Sequence, residues 1–224
     1  MSIDKADKKL RDRVLAELDW DPSIEAGDIG LAVKNQVITL TGTVPNYAQK
    51  RAAERAVFKV SGVQGVANDM DVQLPASSHR TDADIAESAL NALRWNVQVP
   101  HERIKVTVDN GHVALEGEVD WNYQRERAER VVRYLRGVHG VSNRLSVKAR
   151  TSPTSVKSDI QKALRRRADE DARKIDVEVE GRTVRLRGTT STWVERQAAE
   201  DAAWSASGVT DVVNKIKVKP PAFV

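Results

Sequence analysis

The chain is 224 residues long, 40% hydrophobic and 30% charged, with 36 Lys and Arg against 32 Asp and Glu for a net charge of +4. It contains no cysteine, which excludes disulfides, thiolate zinc sites and thiol catalysis. Lys+Arg against Asp+Glu runs 10 to 11 over residues 1–78, 12 to 10 over 79–150 and 14 to 11 over 151–224, a drift too mild for a nucleic-acid footprint.

The N-terminal MSIDKADKKLRDRV lacks the apolar core of an export signal, and no apolar run approaches the ~18 residues that span a bilayer. The expectation is a cytoplasmic protein, or a periplasmic one had an export signal been removed. Leu10, Val14, Leu15 and Leu18 recur at helical spacing and share one face. Ile29, Leu31 and Val33 then alternate, as do Ile38 and Leu40 after a turn at Asn35. Period two marks strands with one buried face, and so short a turn makes them an antiparallel hairpin. After Gly42 a second helix carries Ala53, Ala56, Val57 and Val60 and stops at Gly62, where a helix end favours glycine. A last strand, VANDMDV, completes an αββαβ unit.

The same unit follows twice more. LAVKNQVITLTG, VTVDNGHVALEG and VEVEGRTVRLRG end at Gly42, Gly117 and Gly188, spaced 75 and 71 residues apart. Copy two offers Ile85, Ala89, Leu90 and Leu93, then Ile104, Val106 and Val108, the Asn110–Gly111 turn, Val113 and Leu115. Copy three offers Val156, Ile160, Ala163, Leu164 and Ala168, then Ile175, Val177 and Val179, the Gly181 turn, Val184 and Leu186. Its second helix stops at Gly208, as that of copy two stops at Gly137. The fold class expected is α+β, each unit a three-stranded mixed sheet with two helices on one face. LPASSHRTDAD and RTSPTSVKSD read as linkers.

RGVHGVSNRLSV contains a GxxG, Gly137 to Gly140, of the kind that clamps a nucleic-acid backbone between two helices. Here it lies between a helix and a strand, copy three has Asp211 in place of the second glycine, and the aligned third residues Gln64, His139 and Thr210 are not cations. It reads as a helix stop and a turn, and no nucleic-acid partner is expected.

An amphipathic helix, V-x-V, a turn, V-x-L-x-G, a second helix and G-V-x-x-V-x-N-x-x-x-V together resemble the BON domain, three times over. The resemblance places domains at 1–76, 81–150 and 155–220. It implies a bacterial, mostly non-catalytic family tied to envelope maintenance, stress or osmotic response, and phospholipid binding.

No catalytic constellation is visible, so no enzyme, metal or cofactor is expected. His79, His101, His112 and His139 do not recur between copies or form metal-ligand spacings. Glu116 and Glu118 read as an exposed rim, and Glu178 and Glu180 as cross-strand partners of Arg185 and Arg187. Trp20 and Trp95, at equivalent helix ends, read as caps on the core, and Arg165–Arg166–Arg167 as a solvated basic face.

The candidate site is the turn into each second helix: PNYAQKR, DWNYQRER and STWVERQ. Tyr47, Trp121, Tyr123 and Trp193 sit there beside Lys50, Arg51, Arg125, Arg127 and Arg196. Rings with basic neighbours suit a lipid headgroup layer, and each cation near an anionic leaflet adds about 1 kcal/mol. The same rings also suit a hydrophobic staple on the first helical turn. The partner expected is an anionic phospholipid surface or an envelope-associated protein. A protein adaptor without a lipid role and a small-ligand or ion binder are the alternatives, and open sheet edges leave room for a homo-oligomer.

Overall fold

The computed structural model describes residues 3–148, 160, 175–206 and 208–219. Of the first helix expected in copy three, only Ile160 is described, helical and fully buried. Val156, Ala163, Leu164, Ala168 and the Arg165–Arg167 run lie outside the described residues.

In unit 1, α1 (Ile3–Trp20) leads into β1 (Ile29–Lys34), β2 (Val37–Val44), α2 (Tyr47–Lys59) and a split third strand, β3 (Gly65–Asn68) and β4 (Asp71–Val72). Unit 2 repeats this with α3 (Asp82–Trp95), β5 (Ile104–Asp109), β6 (His112–Val119), α4 (Asn122–Arg133) and β7 (Gly140–Val147). Unit 3 shows β8 (Ile175–Glu180), β9 (Thr183–Thr190), α5 (Trp193–Trp204) and β10 (Asp211–Val218).

Each sheet has the second strand of its unit at the centre. The hairpins are antiparallel in one shared register, with Ile29 opposite Gly42, Ile104 opposite Gly117 and Ile175 opposite Gly188. Asn35 and Gln36, at φ 51° and 64°, and Asn110 and Gly111, at 47° and 75°, supply the left-handed pair that a tight hairpin needs. The third strand is parallel to the centre because a helix carries the chain back over the sheet. Asp7 accepts the Asn35 and Gln36 amides at 2.8 and 3.1 Å, and Asp82 accepts those of Asn110 and Gly111 at 2.8 and 2.9 Å. The first helix therefore anchors the hairpin tip as well as covering the sheet.

Each unit buries its own core. Ile38, Leu40 and Val44 meet Leu10, Val14 and Leu18 from α1 and Ala53, Ala56 and Val57 from α2. Val113, Leu115 and Val119 do the same beneath α3 and α4, and Val184 and Leu186 lie under the alanine face of α5. Each fully buried Leu or Val contributes ~1.5–3 kcal/mol. Gly42, Gly117 and Gly188 are fixed by backbone conformation, at φ 103°, 136° and 136°, and a Cβ on Gly42 or Gly117 would meet the Asp28 or Arg103 carbonyl oxygen. Gly62, Gly137 and Gly208 share the positive φ at the exit of the second helix; Gly137 and Gly140 are thus helix stop and strand start.

The helix-end tryptophans depart from expectation. Trp20 and Trp95 are 83% and 84% exposed and cap nothing. Each stands two residues past a buried leucine, Leu18 or Leu93, which turns it about 200° from the core face. Ile24 and Val99, at equivalent positions just beyond, close the end of the core instead.

Candidate functional site

The three second helices begin at equivalent residues, Tyr47, Asn122 and Trp193. Asn46 caps α2 by accepting the Gln49 amide at 2.9 Å, and Thr192 caps α5 by accepting that of Glu195 at 3.2 Å. In unit 2 the capping position is Trp121, whose side chain has no acceptor. Gln124 reaches back instead to the Asp120 and Trp121 amides at 2.9 and 3.0 Å. These bonds satisfy free amides at each helix start.

Each turn meets the next unit. Tyr47 packs on the core of unit 2. Trp121, Asn122 and Tyr123 of unit 2 face Asp201, Trp204 and Ser205 of unit 3 across a cleft. Trp193 of unit 3 lies on Phe58 of unit 1, ring centroids 4.9 Å apart, and its indole N–H donates to the Val63 carbonyl at 2.8 Å. Unit 1 to 2, 2 to 3 and 3 to 1 form a closed cycle of contacts. Of the four candidate aromatics, Tyr123 is the one classed as exposed, at 53%.

The basic candidates are held too. Lys50 donates to the Met70 carbonyl at 2.6 Å, and Arg196 to those of Ile216 and Asn214 at 3.2 and 3.0 Å. The Arg51 guanidinium pairs with Glu54 at 2.8 Å, and Arg127 donates to Gln98 at 2.8 Å. Arg125 lies over the Trp204 ring at 4.9 Å, and Arg196 over Trp193 at 5.0 Å.

A triad absent from the sequence expectations recurs in all units. Asn68, Asn143 and Asn214 donate to the carbonyls of Lys50, Arg125 and Arg196 at 3.3, 2.9 and 3.3 Å. Each also donates to a helix carboxylate, Glu54, Glu129 or Glu200, at 3.3, 3.4 and 2.9 Å. The latch ties the third strand to the second helix. A Glu and an Asn fourteen residues apart in every copy were its signal.

The three most exposed large apolar side chains among the described residues lie elsewhere, Val97 at 99%, Trp95 at 84% and Trp20 at 83%. The parallel pairing of β6 with β7 brings His112 and His139 together, ring centroids 6.2 Å apart, though they are far apart in the chain. Among the described residues no group of three His, Cys, Asp or Glu could hold a metal, and no helix is long and apolar enough to cross a membrane. The expected cross-strand pairs form, Arg185–Glu180 at 3.0 Å and Arg187–Glu178 at 3.2 Å. Glu116 and Glu118 pair with Arg144 and Lys148 at 3.2 and 3.6 Å. Burial, reinforced by the charge of Asp201, raises the Glu126 pKa at the cleft, while hydrogen bonds from Ser23 and Thr81 lower those of Asp21 and Asp84.

Among curated proteins, the chain is 29% identical over 146 residues to osmotically-inducible protein Y of Escherichia coli (strain K12), covering 63% of this chain and 73% of that protein. Among solved structures, it matches CdsD, a structural protein of the type III secretion system of Chlamydia trachomatis, at 13% identity and a TM-score of 0.28, covering 96% of this chain and 94% of that one. The C-terminal domain of CdsD matches at 13% identity and a TM-score of 0.27, over 94% and 98%. The family model for the BON domain matches residues 6–73, 81–149 and 153–220. The three family-model matches, which cover most of the sequence, make the chain a member of the BON domain family.

Proposed function

We infer that this is a non-catalytic binding and scaffolding protein of the osmotic or stress response that associates with an anionic phospholipid or membrane surface. The stress role rests on the likeness to the osmotically inducible E. coli protein and on the family. The observation that carries the surface role is the pair Trp20 and Trp95, more than four-fifths exposed at matching helix ends. An exposed indole leaves a large apolar ring in water. Sinking half of one ring into a headgroup layer removes roughly 100 Å² of apolar surface, worth about 2.5 kcal/mol at ~25 cal/mol per Å². Val97 extends the apolar surface near Trp95, and Tyr123 adds an exposed ring at the unit 2 tip.

This reading moves the lipid contact from the helix-entry turns to the helix ends. Tyr47 and Trp193 hold units together, and Lys50, Arg51, Arg125, Arg127 and Arg196 already have protein partners. Co-sedimentation with anionic and zwitterionic vesicles across a salt series tests it, on the wild type, Trp20→Ala with Trp95→Ala, and Tyr123→Ala. Binding to anionic vesicles that falls in the double variant supports the reading. Binding by no vesicle rejects it and leaves the indoles for a protein partner.

A further inference from the structure

The junction of units 2 and 3 holds a cleft of about 580 Å³, within the ~300–1,000 Å³ of small-molecule sites, which favour such junctions. Its walls are three aromatic rings, Trp121, Tyr123 and Trp204, and each unit adds a carboxylate, Glu126 from α4 and Asp201 from α5. Aromatic faces attract cations, most strongly those that shed water easily. Trp204 already shows this preference, with the Arg125 guanidinium 4.9 Å from its ring centroid. Arg125 is not among the residues lining the cleft, so its charge leaves that space open.

The two carboxylates lack a salt-bridge partner among the described residues. Asp201 accepts only the neutral Gln197 amide at 3.0 Å, and Glu126 accepts the Asn122 amide at 2.8 Å. Asn122 itself is 6% exposed, and its Oδ1 has no hydrogen-bond partner. Burial and the charge of Asp201 both disfavour the ionised form of Glu126, with Arg125 and Arg130 offsetting in part. A cation seated between the carboxylates would relieve that opposition, and the rings would hold its apolar surface.

We propose that the cleft between units 2 and 3 binds a small organic ammonium ion, with Trp121, Tyr123 and Trp204 as its walls and Glu126 and Asp201 as its counter-charges. The site shares Tyr123 with the membrane reading but does not need the exposed tryptophan pair, so it can be tested with Trp20 and Trp95 intact. The cleft has ample room for a methylated ammonium of choline dimensions. Such a group occurs both as a free solute and as a lipid headgroup.

The test is calorimetric titration of the full chain with choline and with 3,3-dimethyl-1-butanol, its uncharged isostere, while indole N–H signals are followed by NMR. Choline is expected to bind saturably and shift the Trp121 and Trp204 signals, and the isostere to bind at least tenfold more weakly. Glu126→Gln with Asp201→Asn should lower choline affinity tenfold or more while far-ultraviolet circular dichroism stays unchanged, since neither substitution removes packing. Trp204→Phe keeps a ring in place and should weaken choline less than Trp204→Ala. Phosphatidylcholine vesicles that compete with choline assign the site to a headgroup, and vesicles that do not assign it to the free ion. Equal binding of choline and its isostere, or unchanged affinity in the double carboxylate variant, would overturn the proposal.

Discussion

Trp193→Ala tests whether the second helices hold the units together. The indole makes three contacts that alanine cannot: the hydrogen bond to the Val63 carbonyl at 2.8 Å, the ring contact with Phe58 at 4.9 Å, and the Arg196 guanidinium at 5.0 Å. The hydrogen bond is worth ~1 kcal/mol and the ring pair about 0.5–1.5 kcal/mol. Lost burial adds to this, since the ring is only partly exposed in the folded chain. With the burial included the loss is about 3 kcal/mol, at the low end for a tryptophan truncated to alanine because the ring is only partly buried. Urea unfolding followed by far-ultraviolet circular dichroism measures it, with hydrogen exchange at residues 60–65 as the local reporter. Trp193→Phe keeps the ring and should cost only about 1 kcal/mol, the hydrogen bond. If Trp193→Ala unfolds within a few tenths of a kcal/mol of wild type and loses vesicle binding instead, the ring serves the surface and the packing cycle is wrong.

Three further outcomes follow from the same geometry. Asn143→Ala removes donors to the Arg125 carbonyl and Glu129 and an acceptor for the Leu145 amide at 3.3 Å, so urea unfolding should show a loss of about 2 kcal/mol. Gly117→Ala places a Cβ against the Arg103 carbonyl at φ 136° and should destabilise by more than 1 kcal/mol, while Gly27→Ala, with nothing within 4 Å, should be close to neutral. Glu126 has its pKa raised by burial and then by Asp201, so its contribution to stability is fully present below the unfolded value and is lost as pH rises through the folded one. Glu126→Gln should therefore flatten that slope and stabilise the chain at pH 7. The lowered Asp21 and Asp84 act oppositely, losing their contribution as pH falls through their folded values.

The fold was legible because it is written locally and repeated. Leu10, Val14 and Leu18, the alternating hairpin runs and the glycines at 42, 117 and 188 each obey a rule that spans a few residues, and the copies agree. The packing of the units was not legible. Trp193 meets Val63 from 130 positions away, and nothing in STWVERQ separates a ring that seals a neighbour from one that faces lipid. His112 and His139 became neighbours only through the parallel register of β6 and β7. Trp20 could have been placed from the pattern alone, since two residues past Leu18 lies off the buried face. The Asn–Glu latch was equally visible, at one spacing in every copy, but a latch between strand and helix needs the fold before it has meaning.

Quenching of tryptophan fluorescence by aqueous iodide, with and without anionic vesicles, bears most directly on the surface role. Trp20 and Trp95 are the indoles most open to water, and they should dominate the quenching of the free chain and become shielded when vesicles are added. The Trp20→Ala, Trp95→Ala chain should be quenched markedly less than wild type and show no change on adding vesicles. Indoles that stay fully quenchable in the presence of bound vesicles would contradict the account.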